Sequence, residues 1–351
     1  MIPLYKPFMP SLPLLNEILH SGNLAYGYYG KLFEKSLSDF IGVENVLTVN
    51  SFNMAILVTL TTLGIKHGDT VIASPMACLA STQPLASMDL NIKWADINPK
   101  TGTLCPDSVR KFMMLKPKAI FHNHFCGYVG FIDEINSIAK EYNIPVIDDC
   151  IEAFGSKYKD MKMGNTGTDV TIFSFSPVRL PNTIDGGAIV FKDNQLYQKS
   201  ILVRDAGIDR KRFRDHFGEI NPECDINTVG HSATMSEVNS YIGTEQMKHI
   251  DELLQKQRVN ALKWDSFFTE KKDLGIPVDK ENNLPNYWVY GFLTNLNKEL
   301  LIQNLRDMGY YSSAVHINNN IYSIFKDKSL LPGVKEFSSS FLALPCGWWK
   351  E

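Results

Sequence analysis

Between residues 46 and 147 the chain alternates short apolar runs with amphipathic ones at a steady interval, and this rhythm limits the fold more than any other feature. Val46 to Asn50 reads as a strand entering a helix over Asn53 to Leu63, where Met54, Ile56, Leu57, Leu60 and Leu63 recur mainly at helical spacing. The order then repeats through Thr70 to Ala73 (strand), Ala80 to Met88 (helix), Ile92 to Asp96 (strand), Pro106 to Met114 (helix), Ala119 to His122 (strand), Asp133 to Tyr142 (helix) and Pro145 to Ile147 (strand). Strands joined by helices of this length pair in parallel through right-handed crossovers, which predicts an α/β fold whose mainly parallel sheet is covered on both faces. Asp169 to Phe175 and Ala188 to Phe191 read as further strands, with Gly186-Gly187 marking the return between them.

Residues 204 to 232 form an irregular excursion. Beyond it Met235, Val238, Tyr241, Ile242, Met247, Ile250, Leu253 and Leu254 trace one long, partly amphipathic helix leading into a smaller unit. The expected division is a large three-layer α/β domain over 1–245 and a small C-terminal α+β domain over 246–351.

Lys plus Arg number 35 against 38 for Asp plus Glu, so no basic field favours nucleic acid or an anionic membrane. No apolar run approaches a membrane span, and Met1 to Phe8 lacks the basic-then-apolar order of a leader. The six cysteines include no C-x-x-C pair, which fits a reducing compartment, and the expected location is the cytoplasm.

In an open parallel sheet ligands gather beyond the carboxyl ends of the strands. Asp149 follows Ile144 to Asp148 and is the first candidate there; read alone, the Asp148-Asp149 pair would cap the next segment. His122 and His124 leave one side of their strand, but no third ligand stands at a recognisable spacing, so the expectation is a histidine pair without metal. The guanidiniums in 204 to 214 could chelate a diphosphate, although such mixed-charge runs are usually solvated faces. Lys157, Lys159 and Lys162 read as a solvent-exposed hairpin, and His316, Asn318 to Asn320, Tyr310 and Tyr311 fall where the small domain would close.

Several ordered blocks carry a family likeness. They are Ser21-Gly22-Asn23-Leu24 through Phe33-Glu34, Gly64 to Ile72, Asp148-Asp149, Phe154 to Lys159 with Gly164, and Ile172 to Gly187. In this order the chain resembles the DegT/StrS-type pyridoxal-phosphate sugar aminotransferases over nearly its whole length, from Ile2-Pro3-Leu4 to Leu342-Ala343-Leu344-Pro345. The resemblance implies a cofactor domain of the aspartate-aminotransferase type and a homodimer with sites at the interface. It implies a nucleotide-linked keto sugar as substrate, in surface polysaccharide or secondary metabolism. It places Asp149 at the pyridine ring nitrogen, keeping it protonated so that the ring is an electron sink. Ser51, Phe52 and Asn53 would form a phosphate cup at a helix start, and Ser174 would be a second phosphate contact. Cys78 falls at an aromatic stacking position, Glu152 where Gln or His covers the ring edge, and His124 at a strand end beside the cofactor. Gly230 to Glu237 resembles the loop that reaches the partner's site, with Ser232 at its asparagine.

The departures concentrate on that cofactor. Arg179 stands where the family pattern has its lysine, and its delocalised cation has no lone pair from which to form a Schiff base. Phe52 replaces a glycine of the cup, and Ser232 and Thr234 replace the loop's Asn and Arg. Three readings follow. The first is an atypical sugar aminotransferase homologue holding pyridoxal or pyridoxamine phosphate noncovalently. The second is a lysine-less sugar dehydratase using the same cofactors. The third is a noncatalytic sugar-phosphate-binding subunit, a pseudoenzyme in which Arg179 is an anion clamp.

Overall fold

The computed structural model describes residues 1–281 and 283–350. Residues 282 and 351, both within the expected small-domain range, lie outside the described residues.

The strands in chain order are β1 (Val46–Val49), β2 (Thr70–Ala73), β3 (Asn91–Trp94), β4 (Ala119–Asn123), β5 (Val146–Cys150), β6 (Lys157–Tyr158), β7 (Met161–Lys162), β8 (Val170–Ser174) and β9 (Gly187–Phe191). All but β6 and β7 form one seven-stranded sheet of order β1-β9-β8-β5-β4-β2-β3. From β8 to β3 neighbouring strands pair in parallel, and β9 runs antiparallel between β8 and β1. Every residue of β1, β4, β5, β8 and β9 is buried, as expected for strands covered by helices on both faces. The structure is therefore the mixed α/β fold, with a large mainly parallel sheet, that the alternation predicts.

One face is covered by helices Phe52–Leu63 and Asn194–Arg204, which pack on each other; on the other, Tyr28–Ile41 packs against Glu237–Met247. The latter pair is tied electrostatically. Glu237 Oε1 accepts from the backbone N–H groups of Gly27 (2.9 Å) and Gly30 (3.0 Å), and Oε2 accepts from Tyr29 (3.0 Å), so a carboxylate satisfies the open donors of a helix start. Glu34, one turn further on, accepts from the Thr48 backbone and hydroxyl and from Arg204 Nη1 at 3.0 Å. Arg204 also donates to Asp205 and lies 4.3 Å over the Tyr26 ring. It is buried and fully engaged inside the fold, so the candidate diphosphate run loses its first guanidinium.

The single long helix expected from Met235 to Leu254 is two helices, Glu237–Met247 and Ile250–Glu270, separated at Lys248 and His249. Phe8 from the N-terminal segment sets its ring edge against His249 at 5.3 Å, and Gln246 donates to the Phe8 carbonyl. A packed side chain at the junction ends the run that apolar spacing alone would have continued.

The second sheet joins β10 (Ile276–Pro277), β11 (Tyr290–Leu293) and β12 (Phe341–Leu344), all antiparallel. Its core of Trp264, Phe268, Tyr290, Phe292, Phe337 and Phe341 also takes in Phe125 and Tyr128 from just beyond β4. The Tyr128 hydroxyl accepts from Gly291 N at 2.9 Å. The small unit is thus packed directly onto the carboxyl end of the large sheet. Among the described residues no helix is long and apolar enough to cross a membrane.

Candidate active site

β4 and β5 pair so that His122 faces Asp148 and Asn123 faces Asp149. Because strand side chains alternate, this register sorts four polar residues onto two faces. On one face Asp149, 2% exposed, accepts from Asn123 Nδ2 at 2.9 Å and from Ile151 N at 3.2 Å. Burial pushes its carboxyl pKa upward, and these donors only partly offset it.

On the other face Asp148 Oδ1 stands 3.1 Å from His122 Nδ1 and 3.2 Å from His124 Nε2, all three residues being fully buried. Burial raises the Asp148 pKa, but the two histidines outweigh it and hold the group well below the usual carboxylate range. Asp148 is the third member that no sequence spacing revealed, since it comes from the neighbouring strand. The three groups are close enough to embrace a cation. The proton arrangement opposes one: Gly130 N–H donates to His124 Nδ1 at 3.0 Å, so the ring proton sits on Nε2, the nitrogen on the Asp148 side, where a metal would need a lone pair. The cluster is a carboxylate shared by two imidazoles. His124 therefore departs from its expected role beside the cofactor, because its ring turns to the Asp148 side and is used there.

Arg179 lies on the loop between β8 and β9, with its backbone N–H donating to Ser176 O at 2.9 Å. The side chain is buried. Its Nη1 is 3.4 Å from Glu152 Oε1, and its guanidinium carbon lies 4.4 Å from the centre of the Trp288 ring. Trp288 in turn donates its indole N–H to Val178 O at 2.8 Å, fixing the plate on which the guanidinium rests. Arg179 Nε and Nη1 make no hydrogen bond of good geometry among the described residues.

Glu152 is the hub. Its Oε1 also accepts from His316 Nε2 at 2.7 Å, and its Oε2 accepts from Cys126 N at 2.7 Å. Burial raises its pKa, but His316, Arg179 and the Cys126 N–H together bring it below the ordinary glutamate value, so it is ionised near neutrality. Cys78 completes the ring of groups. Burial pushes its thiol up to about 11, with Glu152 and Asp149 adding to the rise and Arg179 opposing it. Glu152 follows β5, the strand that carries Asp149, by two residues, so the Arg179–Glu152 contact lies just beyond the same strand end.

A strap closes this space from the small unit. His316 reaches Glu152, while Asn319 donates through its backbone to Pro75 O (2.8 Å) and through Nδ2 to Ala77 O (3.1 Å) and Thr82 Oγ1 (2.9 Å). The segment is thereby pinned to the turn that carries Cys78. His316 is where the closing small domain was expected to bring it, whereas Trp288 is the principal site residue that sequence reasoning did not single out; the aromatic pair Tyr287-Trp288 just before β11 was the available signal. Tyr310 and Tyr311 stay elsewhere, against Trp264 and Arg306. The lysine-bearing hairpin is real, and Lys159 pairs with Asp133 at the surface.

The expected phosphate end gathers around Gly187. Ser51 caps helix Phe52–Leu63, its Oγ accepting from Met54 N at 3.2 Å. Phe52 buries its ring in the core, while Asn53 is exposed. The close approach that a glycine at 52 would have permitted is found instead at Gly187, where an added Cβ would lie 2.8 Å from Phe173 O, 3.2 Å from Ser51 O and 3.3 Å from Phe52 Cα. Ser174, buried and paired in register with Gly187, ends β8 beside this cup. Ser232 is exposed, and its carbonyl accepts from Asn50 Nδ2 at 3.2 Å; within one chain it neighbours the cup rather than Arg179.

The residues suit a pyridine ring with a phosphate: Asp149 offers a buried carboxylate, the Gly187 cup offers a helix start, and Arg179 offers Nε and Nη1 donors that make no hydrogen bond of good geometry among the described residues.

The architecture is that of the fold-type-I pyridoxal-phosphate-dependent sugar aminotransferases. Residues 11–348 match the DegT/DnrJ/EryC1/StrS aminotransferase family, and the chain belongs to that family. Its aminotransferases use pyridoxal phosphate or pyridoxamine phosphate. A curated relative, the UDP-4-amino-4,6-dideoxy-N-acetyl-beta-L-altrosamine transaminase of Campylobacter jejuni, is 29% identical over 90% of this chain and 83% of its own length. The sugar aminotransferase CalS13 from Micromonospora echinospora superposes with a TM-score of 0.91 at 24% identity, covering 100% of this chain and 96% of that one. Spr1654 of Streptococcus pneumoniae, solved in a PMP form, gives 0.87 at 22% identity over 99% of this chain and 94% of that one.

Proposed function

We propose that this chain acts on a nucleotide-linked keto sugar with pyridoxamine or pyridoxal phosphate bound noncovalently, and that it does not run the ordinary lysine-based transamination. The observation that carries this reading is the buried Arg179–Glu152 pair just beyond the strand that carries Asp149. Asp149 would hold the ring nitrogen, Ser174 and the Ser51–Asn53 helix start would hold the phosphate, and Cys78 and Glu152 would flank the ring. The bound group would supply an electron sink for charge developing at the sugar carbon. The protein's own part is to keep the ring nitrogen paired, to exclude water with the strap, and to hold Glu152 ionised. Arg179 cannot donate a primary amine, so a cycle that begins with a covalent anchor is closed to it.

The reading extends to a homodimer with sites at the interface, a cytoplasmic location and a role in polysaccharide biosynthesis. It also takes 1–245 as the cofactor unit and 246–351 as the closing unit, a division supported by the helix break at Lys248–His249. A lysine-less dehydratase is the alternative reaction on the same site. The noncatalytic sugar-phosphate-binding reading is favoured by one observation: Arg179 Nε and Nη1 make no hydrogen bond of good geometry among the described residues.

The test is the visible spectrum and mass of purified protein with pyridoxal or pyridoxamine phosphate, before and after borohydride and after denaturation. Saturable binding, no reduced covalent adduct and full release on denaturation support the proposal. An adduct trapped in the native protein overturns it, and failure to bind either form while a nucleotide sugar binds transfers the case to the noncatalytic subunit.

A further inference from the structure

Removing lysine takes away more than an anchor, because an amine at that position would also move a proton. Arg179 cannot replace it, since its guanidinium holds its protons throughout the physiological range. The thiols of Cys78 and Cys126 are raised by burial, and Glu152 is held ionised. His316 is the remaining group at Glu152 whose ordinary titration lies near neutrality.

Its setting is that of an oriented base. Glu152, as a carboxylate, can only accept, so the 2.7 Å contact requires the proton of His316 to sit on Nε2. Nδ1 is then left with its lone pair, and it makes no hydrogen bond among the described residues. The imidazole is stacked on Trp288 (centroids 6.2 Å apart, planes at 10°) and meets the edge of Phe125 at 5.8 Å. His316 and Arg179 reach the same oxygen of Glu152, so the imidazole and the guanidinium flank one carboxylate just beyond the strand that carries Asp149.

We propose that His316, oriented by Glu152, is the acid–base residue of this site in place of the absent lysine amine. The inference rests on the cofactor reading above. In the step, Nδ1 takes a proton from a carbon acid whose bonding pair stays behind, and the imidazolium returns that proton to an acceptor carbon. No net proton, oxidant or reductant is needed. Glu152 stabilises the intermediate imidazolium, and Trp288 keeps the ring in plane.

Two measurements test this. The first is nitrogen NMR of histidine-labelled protein without cofactor. His316 should show the Nε2–H tautomer that its contact with the accepting carboxylate of Glu152 requires. A proton resident on Nδ1 would overturn the inference.

The second uses protein loaded with pyridoxamine phosphate in deuterated buffer and follows solvent deuterium entering the cofactor's methylene carbon. His316→Gln should slow this at least about 100-fold with unchanged cofactor affinity. His316→Ala should regain part of the rate with added imidazole. Normal binding with an unchanged rate in both variants overturns the role of His316 alone. Failure of the wild-type protein to bind pyridoxamine phosphate overturns the cofactor reading, and the role of His316 with it.

Discussion

Arg179 Nη1 and Glu152 Oε1 meet at 3.4 Å in a space with almost no solvent. A buried cation there faces a buried anion, so each offsets the cost of taking the other out of water.

The pair should show strong energetic coupling. Glu152→Gln leaves a buried guanidinium without its counter-charge and should cost about 3–5 kcal/mol by denaturant unfolding. Combining it with Arg179→Met removes both charges and should restore most of that loss, so a double-mutant cycle that returns simple additivity would contradict the pairing.

Arg179→Lys returns an amine to the loop. With pyridoxal phosphate it should produce a band above about 400 nm that borohydride abolishes, which the parent protein lacks. A silent spectrum despite bound cofactor would mean that the backbone around position 179 no longer aims a side chain at the ring.

Glu237 should be among the costliest surface-distant residues to lose. Its carboxylate takes three backbone N–H groups at the start of Tyr28–Ile41, and Glu237→Ala should cost about 3 kcal/mol and lower Tm. Glu237→Gln, which keeps an acceptor but no charge, should fall between.

At Gly187 the obstacle is backbone, which cannot swing aside. Gly187→Ala should destabilise by about 2–3 kcal/mol and weaken cofactor binding, because the carbonyls of Phe173 and Ser51 must retreat from the added carbon. Normal stability with normal binding would show that β8 and β9 separate more readily than their register implies.

Acid should act first through His122. Burial, aided by the neighbouring His124, lowers its pKa below 6.5, so the unfolded chain takes up a proton that the folded chain refuses. Stability should begin to fall as pH drops through about 6.5, by at most about 1.4 kcal/mol per pH unit from this residue. Asp148 is depressed in the fold, so its contribution is intact above about pH 3.9 and is lost only below it. His122→Phe should flatten the first limb of a stability-against-pH curve and leave the second, steeper fall.

The sheet was legible because each buried strand is a short apolar run, and Thr70–Ala73 was read to the residue. Helix Tyr28–Ile41 was not read, since its apolar face is interleaved with Tyr, Lys and Ser and its start is capped by Glu237 from more than 200 positions away. The same distance explains the site. Asp149 and Ser174 lie at the ends of β5 and β8, and Glu152 and Arg179 come soon after those strands, so all four could be placed in order along the chain. His316 and Trp288 enter from the small unit, and Asp148 joins the histidines only through strand pairing. Contacts that depend on sheet order leave no mark in local spacing.

Asn319 ties the roof of the pocket to its floor with three hydrogen bonds. Escape through that seam requires all three to part together, so the lifetime of a bound molecule is governed by the seam as well as by its own contacts. A slow exit retains a molecule as effectively as a tether does, and tight equilibrium affinity is then not the sole way for a protein to keep what it holds.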